Sequence, residues 1–286
     1  MIKQCNQLLI IQMLTFFGIN EARYSKDKNK KAHLIMLAVC FVLVGAVLAI
    51  YVGIIAYSLC YIGVAQIVPA YILAITSLIT IFFTIFRANG VIFQPKNYDA
   101  LIALPIHPGS IVASRFLSMY VGNLLLAILT MVPSGVVYGQ FVPLNVTFYF
   151  MFFLSIFVIP LIPMTIATTF GAIITAISAR MKHKNIVTIS FSLLLTLGIM
   201  GASFQTSELN MNDLGNISTS LSRKVNSMYF LSELYTDGMV KQNWISFLIF
   251  FLLSLVFFLL FVVIVAWKFI SICSALQSHV AKKIIC

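Results

Sequence analysis

Six long apolar segments divide the chain, and each is long enough to form a membrane-spanning helix. None of the six contains Asp, Glu, Lys, Arg or His. A helix needs about 20 apolar residues to cross a hydrocarbon core of about 30 Å. Continuous apolar runs without polar alternation predict helices and not barrel strands. The predicted spans are residues 34–57, 67–86, 116–138, 147–177, 186–204 and 244–267. The pattern therefore predicts an all-α polytopic membrane protein with a single transmembrane domain over residues 1–286.

The segment before the first span, residues 1–33, has a different character. Residues 8–17 are mostly apolar, but this stretch is too short to cross a bilayer and no small-residue cleavage site follows it. We therefore expect an N-terminal helix that lies at the membrane interface, with imperfect amphipathicity.

Positive charge is distributed unequally between the predicted loops. With both termini in the cytoplasm, 15 of the 18 Lys and Arg residues fall on the inner side, and only Arg223, Lys224 and Lys241 fall outside. Cytoplasmic loops retain such an excess of positive charge. Trp244 and Trp267 flank the sixth span, where interfacial anchors are expected. The charge pattern predicts that both termini are cytoplasmic and that the long segment 205–243 lies outside. The small size and the lack of a targeting peptide suit a bacterial plasma membrane.

Composition excludes several classes of protein. Hydrophobic residues make up 61% of the chain and charged residues only 9%, with a mean hydropathy of +1.06. Soluble domains carry about 25% charged residues, so an ordinary soluble protein, a disordered chain and a conventional nucleic-acid binder are all excluded. The five cysteines show neither metal-site spacing nor a disulfide pattern, and we interpret them as structural.

Motifs for catalysis are missing from the sequence. The chain has no GxxxxGK[ST] phosphate loop and no HExxH, GxSxG or CxxC motif. The four histidines fall in predicted cytoplasmic segments beside Lys or Pro. We therefore expect neither an enzyme nor a metal site, and no catalytic residue. The absence of ionisable residues from the spans also argues against an ion-coupled transporter. That alternative stays open, because backbone carbonyls and hydroxyls are able to hold an ion.

The cytoplasmic segment between spans two and three, residues 87–115, has the pattern of a short helix. Asn97 is placed to cap it and Asp99 falls in its first turn, where a carboxylate meets the positive end of the helix dipole. Pro105 ends the helix at or before Leu104. Ser110 is placed to cap a second helix that continues into span three. The apolar side of the first helix consists of Tyr98, Leu101, Ile102 and Leu104. Such a helix is suited to docking into the groove of a cytoplasmic partner.

The fourth span is longer than a straight crossing requires and is interrupted by Pro160 and Pro163. Small residues follow, Thr168 among them. Proline kinks or breaks a helix, so the segment is either a hinge that lines a pathway or a tight packing seam. We favour packing, because small-residue stripes normally mark it. Asn123 in span three is more often an interhelical hydrogen-bonding group than a substrate contact.

The order of these elements resembles the membrane subunit of type-two ABC exporters. The most specific match is the run from Asn97 through Tyr98, Asp99, Leu101 and Leu104 to Pro105-Ile106, followed by Ile-Val-Ala-Ser-Arg at 111–115. It is similar to the D-x-L-x-x-L-P-I and V-x-S-R/K runs of bacterial members. The resemblance covers essentially the whole chain, mostly as architecture.

The resemblance implies a function and a set of partners. Segment 87–115 would be the coupling segment, with Tyr98, Asp99, Leu101, Leu104 and Pro105 against a separate P-loop ATPase, present in two copies. Residues 7–20 would be the interfacial elbow helix, and residues 228–234 would belong to extracellular helices that cover the exit. The chain would bind no cofactor, since ATP and Mg²⁺ belong to the ATPase. A second permease copy or a homologous half would complete a pathway for an amphipathic or apolar drug, peptide or lipid.

Other functions remain open from the sequence. An ion-coupled secondary transporter or channel subunit would transport without an ATPase. A membrane-embedded enzyme would form a product, and an assembly subunit would bind partners without turning over a substrate. Fold-level analogy does not decide between these classes.

Overall fold

A computed structural model describes residues 8–10, 28–91, 108–178, 190, 193, 197–198 and 231–282. Within these residues the secondary structure is helical and contains no strand. Five helical stretches are long and apolar enough to cross a membrane. They are Lys31–Tyr61, Ala65–Arg87, Ala113–Phe141, Val146–Gly171 and Trp244–Val265. The protein is therefore an all-helical, multi-pass membrane protein.

Seven α-helices of at least nine residues make up the described ranges. In chain order they are α1 Lys28–Tyr61, α2 Val68–Val91, α3 Pro108–Phe141, α4 Val146–Val158, α5 Leu161–Ser178, α6 Ser232–Val240 and α7 Trp244–Lys282. A single 3-10 turn, Ala65–Ile67, joins α1 to α2. The short connections after α1 and α3 make α1–α2 and α3–α4 antiparallel neighbours.

The described helices match the predicted spans except at their ends and at the fourth span. α1 begins at Lys28, six residues before the predicted start, and α2 continues to Val91. Only Ser190, Leu193, Leu197 and Gly198 of the predicted fifth span are described, and all four are helical. The rest of that span lies outside the described residues, as does nearly all of the predicted elbow helix.

The predicted fourth span is two helices. α4 ends at Val158 and α5 begins at Leu161, with Pro160 between them. Proline lacks the N–H that would continue the hydrogen-bond ladder, and its ring clashes with the preceding turn. Backbone hydrogen bonds continue up to the break from both sides: Ile159 donates to the Ser155 carbonyl at 2.9 Å, and Met164 donates to the Pro160 carbonyl at 3.1 Å. Residues 158–165 are all buried, so the break lies inside the bundle.

The predicted cap at Ser110 is wrong. Within the described residues α3 already includes Pro108, so Ser110 lies inside the helix and not at its cap. One helix therefore runs from the end of the cytoplasmic segment through the whole third span.

α2 is the central helix of the bundle. It packs against α5 on one side and α3 on another, and the outer face of α3 carries α1. α1 approaches α3 closely at Gly45, where a Cβ would meet Leu129 at 3.2 Å; at Gly53 a Cβ would meet Pro133 at an ordinary 3.5 Å. The outward faces of α1 and α7 are lined with exposed Val, Leu, Ile and Phe side chains. Such faces are suited to lipid contact.

Candidate functional site: a polar seam between two helices

Threonines recur along the buried face of α2. Thr76, Thr80 and Thr84 follow each other at four-residue intervals, and Arg87 continues the same face one turn later. The three threonine side chains are almost fully buried, with 1%, 0% and 0% of their surface exposed. Residues four apart lie above one another on a helix, so these side chains form a continuous polar stripe.

Helix α3 meets this stripe with three hydrogen bonds. Thr76 and Thr130 share one between their hydroxyls at 2.9 Å. The Asn123 side-chain amide donates to Thr84 Oγ1 at 2.8 Å. Arg87 Nη2 donates to Ser118 Oγ at 3.4 Å. We call this set of side chains the polar seam. It consists of Thr76, Thr80, Thr84, Arg87, Ser118, Asn123 and Thr130. It joins the two helices along three levels of an antiparallel pair.

Three buried oxygen atoms on or beside the seam have no hydrogen-bond partner among the described residues. They are Ser77 Oγ, Thr80 Oγ1 and Asn123 Oδ1. Buried polar atoms are paired in the great majority of native structures. Hydroxyl and amide oxygens are also the ligand type that hard cations prefer. The positive charge of the Arg87 guanidinium disfavours a bound cation here, because the guanidinium lies beside Gly122 and so next to Asn123.

The position of Arg87 depends on a glycine and an aromatic ring. A side chain at residue 122 would collide with the Arg87 guanidinium, so Gly122 provides the space that it occupies. The same guanidinium lies 5.8 Å from the centroid of the Phe83 ring, within range of a cation–π interaction. Arg87 is thus held at the end of the span between α2 and α3.

Arg87 and Arg115 were not predicted as part of a site. The sequence assigns both to a cytoplasmic loop, since each directly flanks an apolar run. In the structure Arg87 belongs to α2, and Arg115 is 5% exposed near the start of α3. The four-residue spacing of Thr76, Thr80 and Thr84 is the signal in the sequence that leads to Arg87.

The predicted site residues fall into three groups. Asn123 lies on the polar seam, where it bonds to Thr84. Pro160 and Pro163 lie at the buried break between α4 and α5, and the Thr168 hydroxyl is bonded to the Thr165 carbonyl of its own helix at 2.9 Å. The predicted ATPase contacts lie outside the described residues. They are Tyr98, Asp99, Leu101, Leu104 and Pro105.

A second unusual feature lies at the opposite end of the bundle. The short helix α6 comes from the predicted outer segment, yet its Tyr235 side chain is fully buried. The Tyr235 ring packs against Phe250 of α7, with centroids 5.4 Å apart. Burial raises the pKa of Tyr235, while the nearby Ser155 hydroxyl lowers that pKa by a smaller amount. The neutral phenol is therefore the form that the folded protein holds.

Comparison with known proteins does not assign the chain to a family. No protein-family model, curated protein or solved structure matches it. A function must therefore be argued from the residues and their geometry.

Proposed function

We propose that the protein is the membrane permease subunit of an ATP-driven exporter. In this proposal two copies, or one copy and a homologous half, form a pathway for an amphipathic or apolar drug, peptide or lipid. A separate P-loop ATPase in two copies binds ATP and Mg²⁺ and drives transport. The observation that carries the proposal is the way the polar seam joins the two helices that flank segment 92–107.

Segment 92–107 connects the end of α2 to the start of α3. It contains Tyr98 and Asp99, which the resemblance to type-two ABC exporters makes contacts of the ATPase. Arg87 and Ser118 form the hydrogen bond of the seam nearest to this segment, and Thr76 and Thr130 form the one farthest from it. A displacement of the segment would therefore move α2 and α3 together, as one unit.

The energy source in this proposal is external to the chain. The sequence has no Gly-Lys pair and hence no phosphate loop. The predicted docking helix after Asn97, in a chain without its own nucleotide site, is what supports a partner ATPase. The excess of Lys and Arg in the segments assigned to the same side of the membrane as segment 92–107 supports a cytoplasmic position for that contact.

The experiment is purification in mild detergent from the native host, with mass spectrometry of the proteins that co-elute. The expected result is a stoichiometric soluble protein with a phosphate loop. The double variant Tyr98→Ala with Asp99→Ala should lose this protein and lose ATP-dependent transport. These two changes remove an aromatic contact and a carboxylate from the proposed docking surface without touching the apolar spans.

The matched control is Asp213→Ala, which removes a carboxylate from the predicted outer segment. It should leave ATPase association unchanged. Co-purification that survives the double variant would show that the docking surface is wrong. Flux driven by an ion gradient with no ATPase present would instead favour the secondary-transporter alternative, for which the unpartnered oxygens of Ser77, Thr80 and Asn123 would be the first candidates.

A further inference from the structure

The two halves of α1 differ in how they meet the rest of the bundle. In the second half Val52, Ala56 and Cys60 are buried at four-residue intervals, on one face of the helix. In the first half every one of residues 35–44 is exposed, and the large apolar side chains among them are 46–67% exposed. Ten consecutive residues make almost three helical turns, so all faces of the helix are exposed here. We call residues 35–44 the exposed segment.

The exposed segment has the length and the chemistry of one membrane leaflet. A helix rises 1.5 Å per residue, so ten residues cover about 15 Å, which is half of a hydrocarbon core about 30 Å thick. The segment contains no charged residue and no Ser, Thr, Asn or Gln. α1 comes close to α3 at Gly45, the residue directly after it. Lipid chains of a single leaflet therefore match the exposed segment in length and in polarity.

Positive charge is concentrated directly before the exposed segment. Lys28, Lys30 and Lys31 are residues of α1 within two turns of its start. We call these three lysines the basic end. Positions 23–31 hold five Lys and Arg residues in all, against one carboxylate, Asp27. Clusters of four to eight such cations beside a spanning helix are typical of segments that bind anionic lipids.

The described part of the chain places its carboxylates far from the basic end. They are Glu233 and Asp237, and both belong to α6 at the opposite end of the bundle. Asp237 Oδ1 also has a cation of its own, since Lys241 Nζ lies 2.9 Å from it. An anion from outside the chain therefore complements the basic end in charge.

We propose that the exposed segment and the basic end together bind an anionic phospholipid. The acyl chains lie along residues 35–44, and the ammonium groups of the basic end meet the phosphate, because lysines beside a span extend to the headgroup level. A second copy of the chain fits this surface less well, since a symmetric pair of α1 helices would bring two sets of lysines together. The inference goes beyond the proposed function and does not depend on it.

The experiment measures which lipid surrounds the exposed segment. Cys40 lies in the middle of this segment and is exposed. A bimane fluorophore on Cys40 reports the local lipid once the other four cysteines are replaced by alanine. The full-length chain is placed in nanodiscs of equimolar phosphatidylglycerol and phosphatidylcholine, with quenching bromine atoms on the acyl chains of one lipid at a time. Quenching should correspond to enrichment of phosphatidylglycerol by about fivefold at the segment.

The basic end is tested by a triple variant, Lys28→Gln with Lys30→Gln and Lys31→Gln. The enrichment should fall to about twofold or less, because the cations that hold the phosphate are gone. Quenching by brominated phosphatidylcholine in this variant checks that the helix is still in lipid. The matched control combines Arg223→Gln, Lys224→Gln and Lys241→Gln, which removes as many positive charges from the predicted outer side. It should keep the enrichment of the parent.

Four results would overturn the proposal. Equal quenching by the two lipids in the parent would show lipid contact without selection, and enrichment that survives the triple lysine variant would show that the basic end is not the ligand. Replacement of chloride by inorganic phosphate at equal ionic strength should change nothing, and loss of the enrichment would mean that the lysines bind free phosphate. Oxidative cross-linking between the Cys40 residues of two copies, in vesicles of the same lipids, would show that a second copy occupies the surface. These measurements need no ATPase, so they stand or fall apart from the exporter proposal.

Discussion

Single residues determine where the chain turns between its first two spans. α1 ends at Tyr61, and Gly63 follows with φ of 87°, a conformation that costs a non-glycine residue about 1–2 kcal/mol. The Gly63 N–H donates to the Cys60 carbonyl at 3.0 Å, and the Val64 N–H donates to the Leu59 carbonyl at 3.1 Å. Glycine after a helix end allows these bonds to satisfy carbonyls that the helix leaves open.

Gly63→Ala should therefore lower the stability of the protein by about 1 kcal/mol. A new side chain would meet no atom within 4 Å at this position, so the backbone conformation alone sets the cost. The measurement is the thermal unfolding midpoint in one detergent. Gly53→Ala is the control, since its Cβ would meet Pro133 at an ordinary 3.5 Å and alanine favours the helix. Equal destabilisation by both variants would contradict the account of Gly63.

Arg87, which is half-buried, and Arg115, which is buried, show what single-residue reasoning does not reach. Arg87 and Arg115 each stand directly beside an apolar run, and charge next to such a run normally indicates a loop. Whether the cation lies in water or against the next helix depends on its neighbours across the bundle. For Arg87 these neighbours are Gly122 and Phe83. Gly122 is far from Arg87 in the sequence, and Phe83 lies one helical turn before it.

Helices α2 and α3 are held together by polar contacts as well as by packing. In a membrane, lipid is as apolar as the helix surfaces, so hydrogen bonds and close packing replace the hydrophobic effect as the source of association. Thr76 with Thr130 and Asn123 with Thr84 are buried examples of such bonds. Interhelical bonds of this kind are worth about 0.6 kcal/mol on average and about 1.7 kcal/mol at most.

Thr84→Val should destabilise the α2–α3 pair by about 1 kcal/mol. It keeps the shape of the side chain but leaves the Asn123 amide buried without its acceptor. The thermal midpoint in detergent measures the effect. Thr169→Val serves as the comparison, because the Thr169 hydroxyl donates within its own helix to the Thr165 carbonyl at 2.8 Å. If both variants shift the midpoint equally, the interhelical bond has no special role.

The fourth predicted span illustrates what an apolar pattern predicts well and what it predicts badly. Its length and composition indicate a crossing, and a single stretch from Val146 to Gly171 is indeed long enough to span. The pattern also contains the prolines, and the helix breaks at Pro160. The apolar pattern does not predict that the break is buried, because its burial results from contacts with other helices.

The bundle as a whole has two chemically different ends. One end holds Arg87, Arg115 and the start of α3, and basic residues dominate the loops assigned to that side. The other end holds the short helix α6, the turn at Gly63 and Trp244 at the start of α7. The positive-inside rule predicts that the first end faces the cytoplasm.

Cysteine labelling on intact cells tests this orientation. In a background without native cysteines, Tyr61→Cys should react with a membrane-impermeant maleimide, since this position is 76% exposed at the predicted outer end. Lys31→Cys lies in an exposed position at the other end of α1 and should react only after permeabilisation. Reaction of Lys31→Cys on intact cells would reverse the assigned orientation.

Hydropathy and charge alone determined the class of this protein, because a bilayer demands about 20 apolar residues per helix and disfavours charge within them. The helical spans could be predicted for that reason, since each depends only on its own residues. The polar seam and the buried Tyr235 depend on pairs such as Asn123 with Thr84 and Tyr235 with Phe250, which lie on different helices. Only the tertiary structure decided those partners, because a run of apolar residues specifies that a helix is buried in lipid but not which face meets which neighbour.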